Sequence, residues 1–199
     1  YILNRMLPHN IQRSDGNDEH KKPNISIFLQ YIFKAFIVLI MPFSIFGPSW
    51  LVGSYNNSLL FCGLKHTQID NEIIQYNTLC ESHNWACELQ SLSYTTHTTI
   101  LIYYICFVSF ALFQFLNQKF NKFTCIPELY ISTPLFFLYY ITLLCYANNI
   151  PHKFDNTLVE FDSSFGLAFI CCIFHIADIL QSFTHTYFTP TQVSDYFYF

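Results

Sequence analysis

Four stretches of this chain are too long and too evenly apolar for the buried helices of a small water-soluble domain: Ile27 to Gly47, Thr96 to Leu116, Leu129 to Ile150 and Ser164 to Phe183. An α-helix needs about 20 mostly apolar residues to cross the hydrocarbon core of a bilayer, and each stretch supplies them. Gln30 and Lys34 interrupt the first, and His175 and Asp178 the fourth. None shows the continuous polar face of a helix on the surface of a soluble bundle. None alternates with period two, as the strands of a membrane barrel do. Composition agrees: 52% of the 199 residues are hydrophobic and 11% are charged, against about 25% charged in soluble domains. A soluble fold of this size would expose large apolar patches. The expected fold class is therefore all-α membrane, a four-transmembrane-helix bundle.

The connections divide the chain into a polar N-terminal segment (1–26), a transmembrane domain (27–183) with a long loop (48–95), and a tail (184–199). Gly53, Asn56, Asn57, Gly63, Asp70 and Asn71 mark turns in the long loop. Lys and Arg set orientation, since they concentrate on the cytoplasmic side. Arg5, Arg13, Lys21 and Lys22 precede the first run, and Lys119 and Lys122 lie between the second and third. The long loop has only Lys65, and the connection 151–163 only Lys153. Both termini are thus expected in the cytoplasm and these two loops outside. The chain begins at Tyr1 rather than Met, as a fragment or a mature form would. The polar stretch before Ile27 is long for the n-region of a signal peptide, so the first run reads as a retained signal anchor.

Chemistry-bearing motifs are absent from the sequence. There is no phosphate-binding glycine loop, nucleophile elbow or HExxH, and the eight His lack metal-ligand spacing. The expectation is a chain that is not an enzyme, with no cofactor, no metal and no small-molecule substrate. A net charge of -4 offers no basic footprint for nucleic acid. The expected partners are the lipid bilayer and other integral membrane proteins.

The long loop holds Cys62, Cys80 and Cys87. In an oxidising compartment a staple worth about 2–4 kcal/mol would steady it, most simply Cys62–Cys80, with Cys62–Cys87 as the alternative. Cys106, Cys145, Cys171 and Cys172 lie within the apolar runs as packing residues. Cys125, beside the cytoplasmic boundary, is a palmitoylation candidate. Asn56–Asn57–Ser58 is a glycosylation acceptor on the outside loop; Asn24–Ile25–Ser26 matches too, but on the cytoplasmic side. The terminal Phe197–Tyr198–Phe199 has the character of a PDZ-type ligand.

Asp178 is the most informative single residue, because an acid inside a membrane helix is costly. His175 lies three residues earlier on the same helix face. Lys34 and Asp178 each sit about 7–11 Å in from the cytoplasmic end of their helices, at roughly 1.5 Å per residue. They are expected to pair between the first and fourth helices; the alternative is that both snorkel to the interface, or that the first helix starts later.

The layout is specific: helix, long cysteine loop, helix, short turn, helix, shorter loop, helix. The long loop opens Gly47–Pro48–Ser49–Trp50–Leu51–Val52–Gly53–Ser54. A Trp just past the first helix, followed by a cysteine pair, resembles the claudin-like tetraspan superfamily. That superfamily takes in claudins, the peripheral myelin protein group, calcium-channel gamma subunits and the lipoma HMGIC fusion partner-like family. The last is the most similar: Pro48, Trp50 and Gly53 resemble the start of its loop, and Phe61–Cys62 the end of its short strand. Leu167–Ala168–Phe169 with Ile176 to Phe183, Asp178 included, resembles its last helix. Tyr146 to Ile150 looks like the end of the third helix of claudins. The claudin Gly-Leu-Trp signature is missing, and the second outside loop has no cysteines.

The resemblance implies a left-handed four-helix bundle carrying a small extracellular β-sheet in the first loop, with strands around Ser58–Leu64 and Ile73–Leu79. It also implies a non-catalytic role, as an accessory or regulatory subunit of a channel or receptor complex at the plasma membrane. A claudin-like junction protein that self-associates through its outside loop is one alternative. A small subunit of an energy-converting membrane complex is another.

Overall fold

The structure, a computed structural model, describes residues 25–55, 58–70, 72–120, 128–150, 153–154 and 157–188. Asn24 (in 1–24), Asn56 (in 56–57), Cys125 (in 121–127) and the terminal Phe197–Tyr198–Phe199 (in 189–199) lie outside the described residues.

The protein is mostly helical, with four helices long and apolar enough to cross a membrane: α1 (Ile25–Phe46), α3 (Asn84–Phe120), α4 (Glu128–Asn149) and α5 (Ser163–Phe188). Helix α1 packs on α5 and α3, and α4 packs on the same two, so α1 and α4 stand at opposite corners. The bundle is apolar outside as well as in its core, with a few polar side chains buried within it. Lys34, Ser44, Ser132, His175, Asp178 and Ser182 are buried, while Leu39, Phe43, Ile105, Ile141, Ile173 and Leu180 are exposed. This suits helices that face hydrocarbon and hide their polar groups, the arrangement of a multi-pass membrane protein.

The backbone follows the same constraint. Pro42 sits inside α1 and has no N–H to give the carbonyl one turn earlier. That carbonyl belongs to Val38, and the Tyr104 hydroxyl of α3 donates to it at 3.2 Å.

Between α1 and α3 the chain forms β1 (Leu51–Tyr55), β2 (Ser58–Cys62), β3 (His66–Ile69), β4 (Glu72–Gln75) and the short helix α2 (Tyr76–Cys80). Between α4 and α5 come β5 (Lys153–Phe154), β6 (Thr157–Leu158) and β7 (Glu160–Phe161). The main sheet is antiparallel in the order β4-β3-β2-β1-β7, and β5 and β6 form a separate two-stranded ladder. Leu51 pairs with Cys62 on one side and Phe161 on the other. Asp70, between β3 and β4, is left-handed at φ 46°, a turn conformation that Asp tolerates better than most residues.

Trp50 fastens the sheet to the bundle. Fully buried, it packs edge-on against Tyr146 of α4 at 5.1 Å and Phe165 of α5 at 5.6 Å. Its indole N–H donates to the Ser44 carbonyl at 2.7 Å. Pro48 is exposed just ahead of it, and Gly53 lies in β1 opposite Leu60. At this end α1 and α5 nearly touch: a Cβ on Gly47 would lie 2.0 Å from Ser164 Oγ and 2.5 Å from the Phe43 carbonyl. Two further bonds close the contact, from Ser44 Oγ to the Ser164 carbonyl at 2.9 Å and between Ser49 Oγ and Ser163 Oγ at 3.0 Å.

Several expectations are corrected. The stretch 48–95 is not wholly a loop, because α3 begins at Asn84 and packs on α2. At about 1.5 Å per residue its 37 residues measure some 55 Å, well beyond a hydrocarbon core of about 30 Å. The strand expected over Ile73–Leu79 ends at Gln75 and gives way to α2. The second connection adds β7 to the sheet.

The cysteine pairing differs as well. The disulfide joins Cys80 to Cys87, and neither Cys62–Cys80 nor Cys62–Cys87 forms. Cys80 ends α2 and Cys87 lies in the first turn of α3, and the reversal between them leaves their Cα atoms 4.7 Å apart, within the usual range for a disulfide. Cys62 ends β2 fully buried in the core. The bond therefore closes a short helix-to-helix loop rather than strapping the sheet.

Burial pushes the Cys62 thiol up to about 12, although its hydrogen bond with Tyr76 opposes the shift. In the unfolded chain the same thiol would ionise near its ordinary value of 9.0. Below that value both states hold the proton; above it only the folded state does. Cys62 should thus make stability fall as pH rises from about 9 to about 12. The expected outcome of labelling with N-ethylmaleimide at pH 8 is that Cys62 reacts at least tenfold faster after denaturation than in the folded protein. A non-reducing peptide map of the same sample should recover Cys80 linked to Cys87.

Candidate functional site

At the end of the bundle away from the sheet, α1 and α5 run antiparallel with polar side chains in register. The Gln30 amide donates to Ser182 Oγ at 3.0 Å. One turn further along α1, and one turn back along α5, Lys34 Nζ lies 3.4 Å from Asp178 Oδ1. Each is six residues inside its apolar span, Phe28–Phe46 for Lys34 and Ser163–Thr184 for Asp178, or about 9 Å at 1.5 Å per residue.

A third residue completes the cluster. Glu128 opens α4 and forms a direct ion pair with Lys34, whose ammonium donates a hydrogen bond to it. Its place in the first turn suits a carboxylate, because the positive end of the helix dipole lies there. Asp178 is fully buried, Lys34 nearly so, and the Glu128 side chain is 17% exposed. Neither Asp178 oxygen has a hydrogen bond among the described residues, so its contact with Lys34 is an ion pair by distance and not an aligned bond.

One ammonium between two carboxylates ties α1, α4 and α5 together. The long lysine stem carries its charge toward the helix end, where Glu128 is partly wet. Lys34 is paired, as expected, with Asp178, and its second partner Glu128 is the more exposed of the two acids. Sequence reading missed Glu128 because it falls at the edge of a polar connection. The available signal was an acid beside the third apolar run, at the same expected end as Lys34.

His175 shares the face of Asp178 but makes its bonds elsewhere. Its Nδ1 lies 2.9 Å from the Tyr103 hydroxyl of α3 and its Nε2 lies 2.9 Å from Ser132 Oγ of α4. Phe107 and Phe136 close on the ring edge-to-face at 5.1 and 5.6 Å. Tyr103 stacks on Tyr139 at 4.5 Å, and the Tyr139 hydroxyl donates to the Ala168 carbonyl at 2.6 Å. Both ring nitrogens of His175 are therefore occupied in a polar layer that joins α3, α4 and α5.

These layers hold the helices in one register. Among the described residues no group of three or more His, Cys, Asp and Glu is placed to hold a metal ion. Cys106 and Cys145 are exposed on the helices, and Cys171 and Cys172 are buried. No family model matches the chain, and no curated protein matches it.

Removing one partner of a buried ion pair leaves an uncompensated charge, at a cost of about 3–5 kcal/mol. Lys34→Met should cost that much in unfolding measured in detergent, and Glu128→Gln should cost less, since Glu128 keeps some access to water. The double variant Lys34→Met/Asp178→Asn should be more stable than the two single effects predict, by at least about 1 kcal/mol. Strict additivity would show that Lys34 and Asp178 do not interact.

Proposed function

We propose that this chain is a non-catalytic, claudin-like four-pass membrane protein, an accessory subunit that binds a larger channel or receptor complex laterally in the plasma membrane. The observation that carries the reading is a bundle with an apolar exterior and its charged side chains buried between the helices. Its polar side chains serve helix register, and its four apolar exteriors are free to meet lipid or the helices of another membrane protein. Trp50 supports the family likeness, since it wedges the sheet onto the helices at the position that drew the comparison. The Cys80–Cys87 bond removes the paired Cys62 from the grounds for that likeness. The reading therefore rests on Trp50, the last helix and the architecture.

In this reading the sheet and the Cys80–Cys87 clip lie outside the cell, and both termini lie in the cytoplasm. The Lys and Arg distribution supports that orientation, and four crossings return the chain to the side on which it began. Asn56 then faces the glycosylation machinery and Asn24 does not. In cells, the orientation predicts that Asn56→Gln removes a glycan-sized mass shift and Asn24→Gln leaves the protein unchanged.

One observation favours the junction reading as an alternative. Strand β4 is an edge of the sheet, and its Ile73 is 67% exposed. Exposed sheet edges with apolar side chains are templates for pairing with another chain. Native purification with mass spectrometry separates the possibilities. A stoichiometric channel or receptor partner is the expected result. Self-association concentrated at cell contacts would support the junction protein. Recovery with respiratory subunits would replace both with the energy-converting complex.

A further inference from the structure

A cleft of about 450 Å³ opens where the sheet meets the bundle, between the β2–β3 turn, the start of α2 and one side of α3. It lies at the opposite end from the Lys34 cluster and shares no residue with it. Its character changes along α3. Asn77 and Gln90 stand at the polar rim, where the Gln90 amide donates to Asn77. Tyr94 and His97 follow, then Leu101. Beyond the cleft the outer surface is apolar, with Phe46, Ile102 and Ile105 all exposed.

Two groups in the cleft lack the partners such groups usually have. Lys65 is exposed, lies 5.9 Å over the Phe46 ring, and has no carboxylate partner among the described residues. His97 is 7% exposed and sits edge-on to the same ring at 6.2 Å. Its Nε2 is buried with no hydrogen bond among the described residues. Buried polar atoms are normally satisfied, so this nitrogen calls for a partner at the cleft floor. A free ammonium, amide donors and a Tyr hydroxyl suit a phosphate, which Lys binds as a point charge. The apolar wall that continues below suits hydrocarbon chains attached to that phosphate. Tyr residues are enriched where membranes meet water.

We infer that this cleft is a phospholipid site, in which Lys65 pairs with the headgroup phosphate and the acyl chains lie along the outer faces of α1 and α3 near Phe46 and Ile105. The inference rests on the four-pass membrane reading, which places this junction at the level of the headgroups. It adds a lipid of defined chemistry to the protein partner proposed above.

The test uses the full chain in a maltoside detergent and counts retained lipids by native mass spectrometry. The probes are dioleoylphosphatidylcholine and a dioleoyl galactolipid, with the same chains and no phosphate. The expected result is one phosphatidylcholine retained at least tenfold more than the galactolipid, and not displaced by inorganic phosphate. Lys65→Gln, a change at an exposed side chain, should cut retention at least fivefold, and Lys65→Arg should preserve it. Equal retention of the two lipids overturns the inference. So does an undiminished signal in Lys65→Gln, or binding of inorganic phosphate in place of the lipid. Carbonate extraction of membranes keeps the two readings apart. A chain that stays in the pellet without lipid preference overturns only the site, whereas a chain that leaves the pellet overturns the four-pass reading as well.

Discussion

The helix register in this bundle depends on pairing buried polar groups between helices, because its apolar exterior offers them nothing. Water would hydrate a carbonyl freed by Pro42 or a charged Lys34; hydrocarbon does neither. The fold supplies the missing partners by pairing helices. Tyr104 of α3 serves the Val38 carbonyl of α1, and Asp178 and Glu128 from α5 and α4 serve Lys34. Ser132 and Tyr103 serve His175. Each bond crosses between helices, so each also fixes their relative height. Apolar packing alone sets register weakly when lipid tails are as apolar as the helices.

The two ends of the bundle achieve this differently. At the sheet end the solution is close approach: Gly47 leaves no room for a Cβ, and Ser44, Ser49, Ser163 and Ser164 bond across the narrow contact. At the other end the solution is charge, with the long side chain of Lys34 spanning to two acids. Trp50 belongs to the first end and shows why a sheet can stand on a helical bundle. Its ring fills the space between α4 and α5, and its backbone N–H donates to Cys62 of β2 at 2.8 Å.

The sequence made the four helices legible because composition alone carries the signal. The expected runs differ from α1, α4 and α5 by no more than a few residues at the described ends. Helix α3 extends beyond the expected run because Asn84 to Thr95 mixes polar with apolar residues and is helical where it packs on α2, a tertiary effect. Strand β7 was hidden since β1 and β7 pair across some hundred residues of sequence, and two-residue strands have no pattern of their own. In the site, Lys34 and Asp178 stood out as charges inside apolar runs, and equal depth was enough to bring them together on paper. Glu128 did not stand out, because an acid at a helix start is common in any protein. The cysteines misled because connectivity follows from chain geometry, and the sequence does not contain the reversal between α2 and α3 in readable form.

The length of α3 has a mechanical meaning. It is one unbroken rod of about 55 Å by helix rise, with α2 clipped to its tip by Cys80–Cys87 and β4 leading directly into α2. A rod tilts as a whole. A 10° change in its inclination at one end would sweep the other through about 10 Å, and the clip would carry α2 with it. The sheet end and the far end of the bundle therefore share one lever, and a force applied to either end acts on both.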